Sequence, residues 1–171
     1  MARKGEKEMC KQEQKVYAVL AQLEIPFIKH KHIPVYTAEE VRDLDLPITG
    51  AHCKNLFLRN RKGDKHFLVI VLEDKYVDLK GLSELIDSTS LSLASSERLN
   101  NYLGVYPGAV GPFGLINDMT NHVHVLLDSD LLDKDTINFH PNVNTTTVNL
   151  SVRNFRRFLD WINNPVLNVK F

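Results

Sequence analysis

Apolar residues at Met9, Val16, Leu20 and Leu23 recur at helical spacing among polar neighbours, which predicts an amphipathic helix over residues 8–24, ended by Pro26. The period shortens to two across Phe27–Ile33, the pattern of a half-buried strand. Thr37 stands three residues before Glu40, a capping-box spacing that opens a short helix to about Leu44, with loop following over Leu46–Gly50. Asn55–Asn60 and His66–Glu73 are strand-like, and the intervening Arg61-Lys62-Gly63-Asp64 has the turn chemistry of a hairpin. Leu79–Ile86 and Ser95–Leu103 have helical patterns; His122–Leu127 and Thr145–Asn149 are extended. Ser151 caps a last helix whose Val152, Phe155, Leu159 and Ile162 form one apolar stripe that docks it on a sheet. Strands and helices interleave without repeat or linker. The expected fold is α+β (mixed α/β): one domain over residues 1–171, with a central mixed, largely antiparallel sheet flanked by helices.

Composition narrows the class. A chain of 171 residues, 43% hydrophobic and 25% charged, is ordinary for a globular protein with one sizeable core. Its 21 basic and 21 acidic residues cancel, so no whole-molecule field draws it to nucleic acid or membrane, and any RNA must be held by a local patch. No apolar run has the length of a spanning helix, and the polar N-terminus MARKGEKEMCKQEQK lacks the apolar core of a secretory signal. The expectation is a cytoplasmic protein without a membrane partner. Cys10 and Cys53 lie in no CxxC or His/Cys cluster, which disfavours zinc and gives no disulfide framework.

Three places are candidates for chemistry. In Gly104–Asp118, GVYPGAVGPFGLIND, four glycines and two prolines interrupt an apolar run with no charge before Asp118. Glycine lets backbone N–H groups approach a ligand and proline stiffens the path, so the stretch is either a preformed pocket wall or a buried turn. Lys54, with Asn55 at the mouth of a strand, either places an ammonium beside developing negative charge or is solvated. His140, in the turn Phe139-His140-Pro141-Asn142, either serves a ligand as donor, acid or base, or is structural. The loop fits neither a P-loop nor GxGxxG, and the chain has no GxSxG or HExxH. His122 and His124 share a face on a regular strand but have no obvious third metal ligand. Cys53 is either an activated thiolate beside His52 and Lys54 or a buried inert thiol.

KNLFLRN at Lys54–Asn60, the G-x-x-x-P loop from Gly108 to Pro112 continuing as FGL, and FHPN at Phe139–Asn142, in this order, resemble the YbaK/ProX family of editing aminoacyl-tRNA deacylases. Within it the likeness is to the free-standing, ProX-type (PrdX-like) Ala-tRNA(Pro) deacylases. It runs from about residue 10 to the C-terminal helix; each motif alone is weak, and three in order are specific. The resemblance implies hydrolysis of the ester that joins a wrongly attached amino acid to the terminal adenosine of tRNA(Pro), clearing errors of prolyl-tRNA synthetase. It implies that Lys54 matches the essential lysine, that Gly108 and Pro112 end the substrate loop with Ala109, Val110 and Gly111 between them, and that His140 matches the substrate-pocket histidine, with Asn55 beside Lys54. It further implies water activation assisted by a ribose hydroxyl, no metal or organic cofactor, and as partners the tRNA(Pro) acceptor end and prolyl-tRNA synthetase. Gly111 departs from many relatives, which carry a side chain there, and the expectation is a more flexible loop. Cys-tRNA(Pro) or Ser/Thr-tRNA deacylation, and a non-catalytic module that binds aminoacyl-tRNA or the synthetase, are the alternatives.

The physical chemistry suits an editor. A synthetase pocket shaped for proline gains only about 1–3 kcal/mol of discrimination per methylene against alanine, so a second, smaller sieve is needed. Lys29-His30-Lys31-His32, Arg59-Asn60-Arg61-Lys62, and Arg153 with Arg156 and Arg157 are the basic clusters available to RNA.

Overall fold

The computed structural model describes residues 4–36, 40 and 47–171, with side chains from residue 11 onward. The helix expected from Thr37 to Leu44 lies outside the described residues. Eight strands and four α-helices are present among them: α1 (Lys4–Gln22), β1 (Ile28–Lys31), β2 (Cys53–Asn60), β3 (His66–Leu72), α2 (Leu79–Leu85), β4 (Leu91–Leu93), α3 (Ser96–Leu103), β5 (Val123–Asp128), β6 (Thr136–Phe139), β7 (Thr146–Ser151), α4 (Val152–Ile162) and β8 (Val166–Val169). Two 3-10 turns, Pro112–Asn117 and Ser129–Asp133, fill the loops before and after β5.

The α+β class and the mixed, largely antiparallel sheet are as expected, and the strands divide into two sheets. A five-stranded sheet runs β4-β2-β3-β5-β8, with β4-β2-β3 antiparallel and β3-β5-β8 parallel. A three-stranded antiparallel sheet runs β1-β7-β6. Among the described residues the two meet at one isolated bridge, Ala51 to Ile137, just before β2. Gly50 makes this junction possible: its φ is +89°, and a Cβ there would lie 2.2 Å from Thr136 Oγ1. Buried carboxamides secure it. Asn138 donates to the carbonyls of Thr49 (2.9 Å) and Ala51 (3.2 Å), and Asn149 donates to Thr49 O and to Asn138 Oδ1, both at 2.9 Å. The start of β2 is thereby fixed against the second sheet.

Strand β3, HFLVIVL, is covered on both faces, which explains its unbroken apolar run. Leu68 and Ile70 join the larger core with Phe113, Phe139, Phe155 and Phe158, while Phe67, Val69 and Val71 face Leu58, Leu82 and Leu126. Ser151 caps α4 by accepting from Asn154 N at 3.2 Å, and Asn163 closes it in the left-handed region. The helix buries Val152, Phe155 and Leu159 as expected and also Phe158, which meets Phe113 edge-on at 5.2 Å. Strand β1 is a correction: it is an edge strand, and Ile28 is 60% exposed, so its alternation marks a strand without a buried apolar face.

Candidate active site

A cleft of about 280 Å³ opens where the start of β2, the β6–β7 turn and the glycine-proline loop converge. Lys54, Asn55, Gly108, Val110 and His140 all line it, with Tyr36, Glu73, Asn138 and Thr147 among the other walls. Ala109 and Pro112 do not. Ala109 is fully buried in the core and Pro112 is buried as the first residue of its 3-10 turn, so they support the wall from behind. Gly111 sits beside it: a Cβ there would be 3.6 Å from the His140 carbonyl and 4.0 Å from Asn55 Nδ2.

Lys54 pairs with Val71 in the β2–β3 register, and its ammonium donates to the backbone carbonyl of Lys75. Among the described residues it has no carboxylate partner. Its charge is held in place by a carbonyl dipole, with Glu73 elsewhere on the cleft wall, and further N–H donors stay available for a substrate oxygen. Beside it, Asn55 Oδ1 is buried without a hydrogen-bond partner. Such an orphan acceptor costs about 1–3 kcal/mol unless a ligand donor reaches it.

His140 Nδ1 lies 2.8 Å from the Thr146 carbonyl. A carbonyl only accepts, so Nδ1 carries the proton and Nε2 is left as an acceptor in the neutral ring. Burial holds this imidazole below its ordinary pKa; the Thr146 carbonyl acts in the opposite sense, and the nearby His32 ring lowers it further. Of the roles open to His140 from the sequence, neutral pH therefore favours hydrogen-bond acceptor or base over donor. His32 itself donates to Ile33 O (2.8 Å) and accepts from Thr147 Oγ1 (3.0 Å), with its ring centroid 5.7 Å from that of His140.

The glycine-proline loop is clasped by the turn that follows His140. Tyr106 OH donates to Asn144 Oδ1 at 3.0 Å, Asn144 N donates back to Tyr106 OH at 3.3 Å, and Asn142 Nδ2 reaches the Phe113 carbonyl at 3.3 Å. Gly108 has φ +93°, a conformation that favours glycine, and a Cβ there would fall 2.8 Å from Tyr36 Cδ1 unless that exposed ring moved. The N–H of Ala109 is committed to Tyr106 O at 3.0 Å. Any oxyanion contact from this loop falls to the N–H groups of Gly108, Val110 or Gly111.

The aminoacyl-tRNA editing domain profile matches residues 32–158, which contain every one of these groups. The chain belongs to that family. It is an aminoacyl-tRNA deacylase, a carboxylic-ester hydrolase. The chain is 42% identical over 146 residues to the prolyl-tRNA editing protein ProX of Acetoanaerobium sticklandii, covering 85% of this chain and 89% of that protein. It is 32% identical over 150 residues to the prolyl-tRNA synthetase associated domain-containing protein 1 of Xenopus laevis, with coverages of 85% and 89%. A crystal structure of a candidate trans-editing enzyme for prolyl-tRNA synthetase superposes with a TM-score of 0.69 at 18% identity, covering 94% of this chain and 97% of that one, and shares the fold.

Burial and the negative charges of Asp128 and Glu73 push the Cys53 thiol far above its ordinary pKa, so it is the inert thiol and not a nucleophile. His122 and His124 do not share a face. His122 precedes β5 and is not on the regular strand: its Nε2 lies 3.0 Å from His66 Nδ1, while His124, within β5, packs on Phe67. Among the described residues no group of three or more His, Cys, Asp or Glu is placed to hold a metal ion, and no helix is long and apolar enough to cross a membrane. Tyr36, Thr147 and Asn138 were missed as lining residues, and Asn144 as the clasp. The Asn-rich PNVN turn was the one available signal for the last.

Proposed function

We propose that this deacylase hydrolyses Ala-tRNA(Pro) in trans, clearing errors of prolyl-tRNA synthetase in the cytoplasm. The observation that carries the reading is the small cleft in which an ammonium held without a carboxylate, Lys54, shares a wall with a neutral histidine acceptor, His140, and with rigid backbone at Gly108–Val110. The names of its relatives from Acetoanaerobium sticklandii and Xenopus laevis support prolyl-tRNA as the system served.

In this reading the alanyl methyl packs against Gly108 and Val110, and the proline ring is too large for the same space. Lys54 orients the ester and stabilises charge as its carbonyl becomes tetrahedral, with unused N–H groups of the loop adding to that field; removing one such donor typically costs a hundredfold or more in rate. Asn55 Oδ1 accepts from a substrate donor, the ammonium of the amino acid or a ribose hydroxyl. His140 Nε2 accepts a second such proton or takes one from water, and a ribose hydroxyl of the terminal adenosine assists.

The acceptor end approaches over β1. Of the three basic clusters, Lys29–His32 alone borders the cleft, since His30 pairs with Thr147 in the β1–β7 register and His32 touches Thr147 Oγ1. Arg59–Lys62 lies at the opposite end of β2, about 20 Å away at roughly 3.3 Å per residue. Arg157 is tied to Leu23 O at 2.7 Å and Asn154 Oδ1 at 3.2 Å.

The test is a panel of Ala-, Cys-, Ser-, Thr- and Pro-charged tRNAs. Ala-tRNA(Pro) is hydrolysed fastest, Pro-tRNA(Pro) is spared, and Lys54→Ala abolishes turnover without changing the melting temperature. Preferential hydrolysis of Cys-tRNA(Pro) would replace the substrate assignment, and normal turnover by folded Lys54→Ala would remove Lys54 from the mechanism.

A further inference from the structure

The carbonyl that holds Lys54 belongs to a residue whose own side chain is locked. Lys75 lies in the turn after β3, where its N–H donates to Leu72 O at 3.1 Å. Its ammonium crosses to the end of β5 and ion-pairs with Asp128 at 2.7 Å and Asp130 at 2.6 Å. Asp128 is fully buried and is shared further: its carboxylate accepts from Leu72 N at 3.3 Å and Asp130 N at 3.2 Å. Burial of Lys75 works against its charge, but the hydrogen bonds to Asp128 and Asp130 outweigh that and hold its pKa above the ordinary lysine value, while Asp130 is held below its own by the same contact.

The antiparallel register places these groups at one end of the sheet. Lys54 stands opposite Val71, four residues before Lys75, and β3 and β5 run parallel so that both end beside Asp128. Each part has a distinct task. The carboxylates hold the Lys75 ammonium and fix the turn, whereas the group in contact with Lys54 is the Lys75 carbonyl, a dipole. Lys54 is immobilised and keeps its field for the substrate, which a direct carboxylate partner would largely cancel.

Resting on the reading of Lys54 as the group that acts on the ester, we propose that Lys75, clamped by Asp128 and Asp130, is the positioning residue that sets where the Lys54 ammonium stands. It acts through Lys54 and touches no substrate.

Lys75→Met removes the clamp and Lys75→Arg keeps an ion-pairing cation. Because Lys75→Met leaves Asp128 buried without its counter-charge, Lys75→Met/Asp128→Asn serves as the folded counterpart if the single variant fails to fold. Loss of the clamp lowers kcat by on the order of tenfold to a hundredfold, the scale of a displacement of about 1 Å, with little change in KM; Lys75→Arg retains most of the rate. In a Lys54→Ala background the same changes have no further effect on the residual rate measured with enzyme in excess. An equal fold-loss in both backgrounds means a role in stability alone and overturns the proposal. A second readout needs no tRNA: the rate at which acetic anhydride acetylates Lys54, followed by mass spectrometry, rises several-fold in Lys75→Met/Asp128→Asn and is unchanged in Lys75→Arg. An unchanged rate in the former also overturns the proposal. Failure of the wild-type protein to deacylate any tRNA would count against the proposed function, and the acetylation rates would still judge the clamp.

Discussion

Two glycines of the substrate loop make opposite predictions on substitution by alanine. Gly108 has φ +93°, a region in which an L-residue loses about 1–2 kcal/mol. The added Cβ would also meet Tyr36 Cδ1 at 2.8 Å, but Tyr36 is 66% exposed and can swing aside, and Asn144 Nδ2 at 3.6 Å is an ordinary contact. Backbone strain therefore dominates, and Gly108→Ala destabilises by about 1–2 kcal/mol, a fall of roughly 2–8 °C in Tm for a chain of this size. Gly111 has φ −174°, extended backbone open to any residue, and its Cβ would meet only His140 O at 3.6 Å and Asn55 Nδ2 at 4.0 Å. Gly111→Ala is therefore neutral or stabilising by about 0.4–1 kcal/mol, through the lost freedom of the unfolded chain.

Urea and thermal unfolding of the two variants side by side measure the difference, and deacylation reads its consequence. Gly108→Ala loses on the order of a hundredfold in rate because the wall shifts by about 1 Å. Equal destabilisation by the two substitutions, or a larger effect at Gly111, would refute the assignment of strain to Gly108 alone.

Two titrations give further checks. Burial, then the neighbouring charges of His122, Arg98 and Arg59, lower His66 from 6.5 to about 4. Because the folded pKa is depressed, stability from the neutral ring is complete above about pH 6.5 and is lost as pH falls towards 4, roughly 3 kcal/mol in all. Denaturant melts across that window show this slope in the wild type and a flatter one in His66→Phe; an identical slope would clear His66. At His140, also depressed by burial, the acid limb of the deacylation rate falls below pH 6.5, and His140→Gln removes it. A limb that persists in His140→Gln assigns the titration to another group.

The elements that sequence pattern revealed are those whose signals are local. The β2–β3 hairpin has its turn at Gly63 with φ +76°, and α3 lies between Ser95, whose side chain caps it, and left-handed Gly104. Strands β4, β6 and β8 went unseen: they have three or four residues each, and β8 pairs in parallel with β5, some forty residues away. Their pairing is decided by tertiary context. In the site, Lys54, Asn55 and His140 were legible because motif order marked them. The Lys75–Asp128–Asp130 clamp was not, because its partners are 53 and 55 residues apart and nothing in either segment announces the other.

The materials that hold the cleft together fit its chemistry. Its backbone is pinned by neutral amides: Asn138 and Asn149 at the entry to β2, Asn142 on the 3-10 turn and Asn144 on Tyr106. Ion pairs could have fixed these loops, but each would have added formal charges near Lys54 to that of Glu73, which already lines the cleft. A charge about 8 Å away at an effective dielectric near 20 is worth roughly 2 kcal/mol, enough to alter the field by an order of magnitude in rate. Where an ion pair is used, at Lys75, the two carboxylates are engaged by their own lysine and only a carbonyl contacts Lys54. Loops held by amides add no further charge to that of Glu73 on the cleft wall and of the Lys75 clamp, so their rigidity is gained without pairing off the cation that acts on the ester.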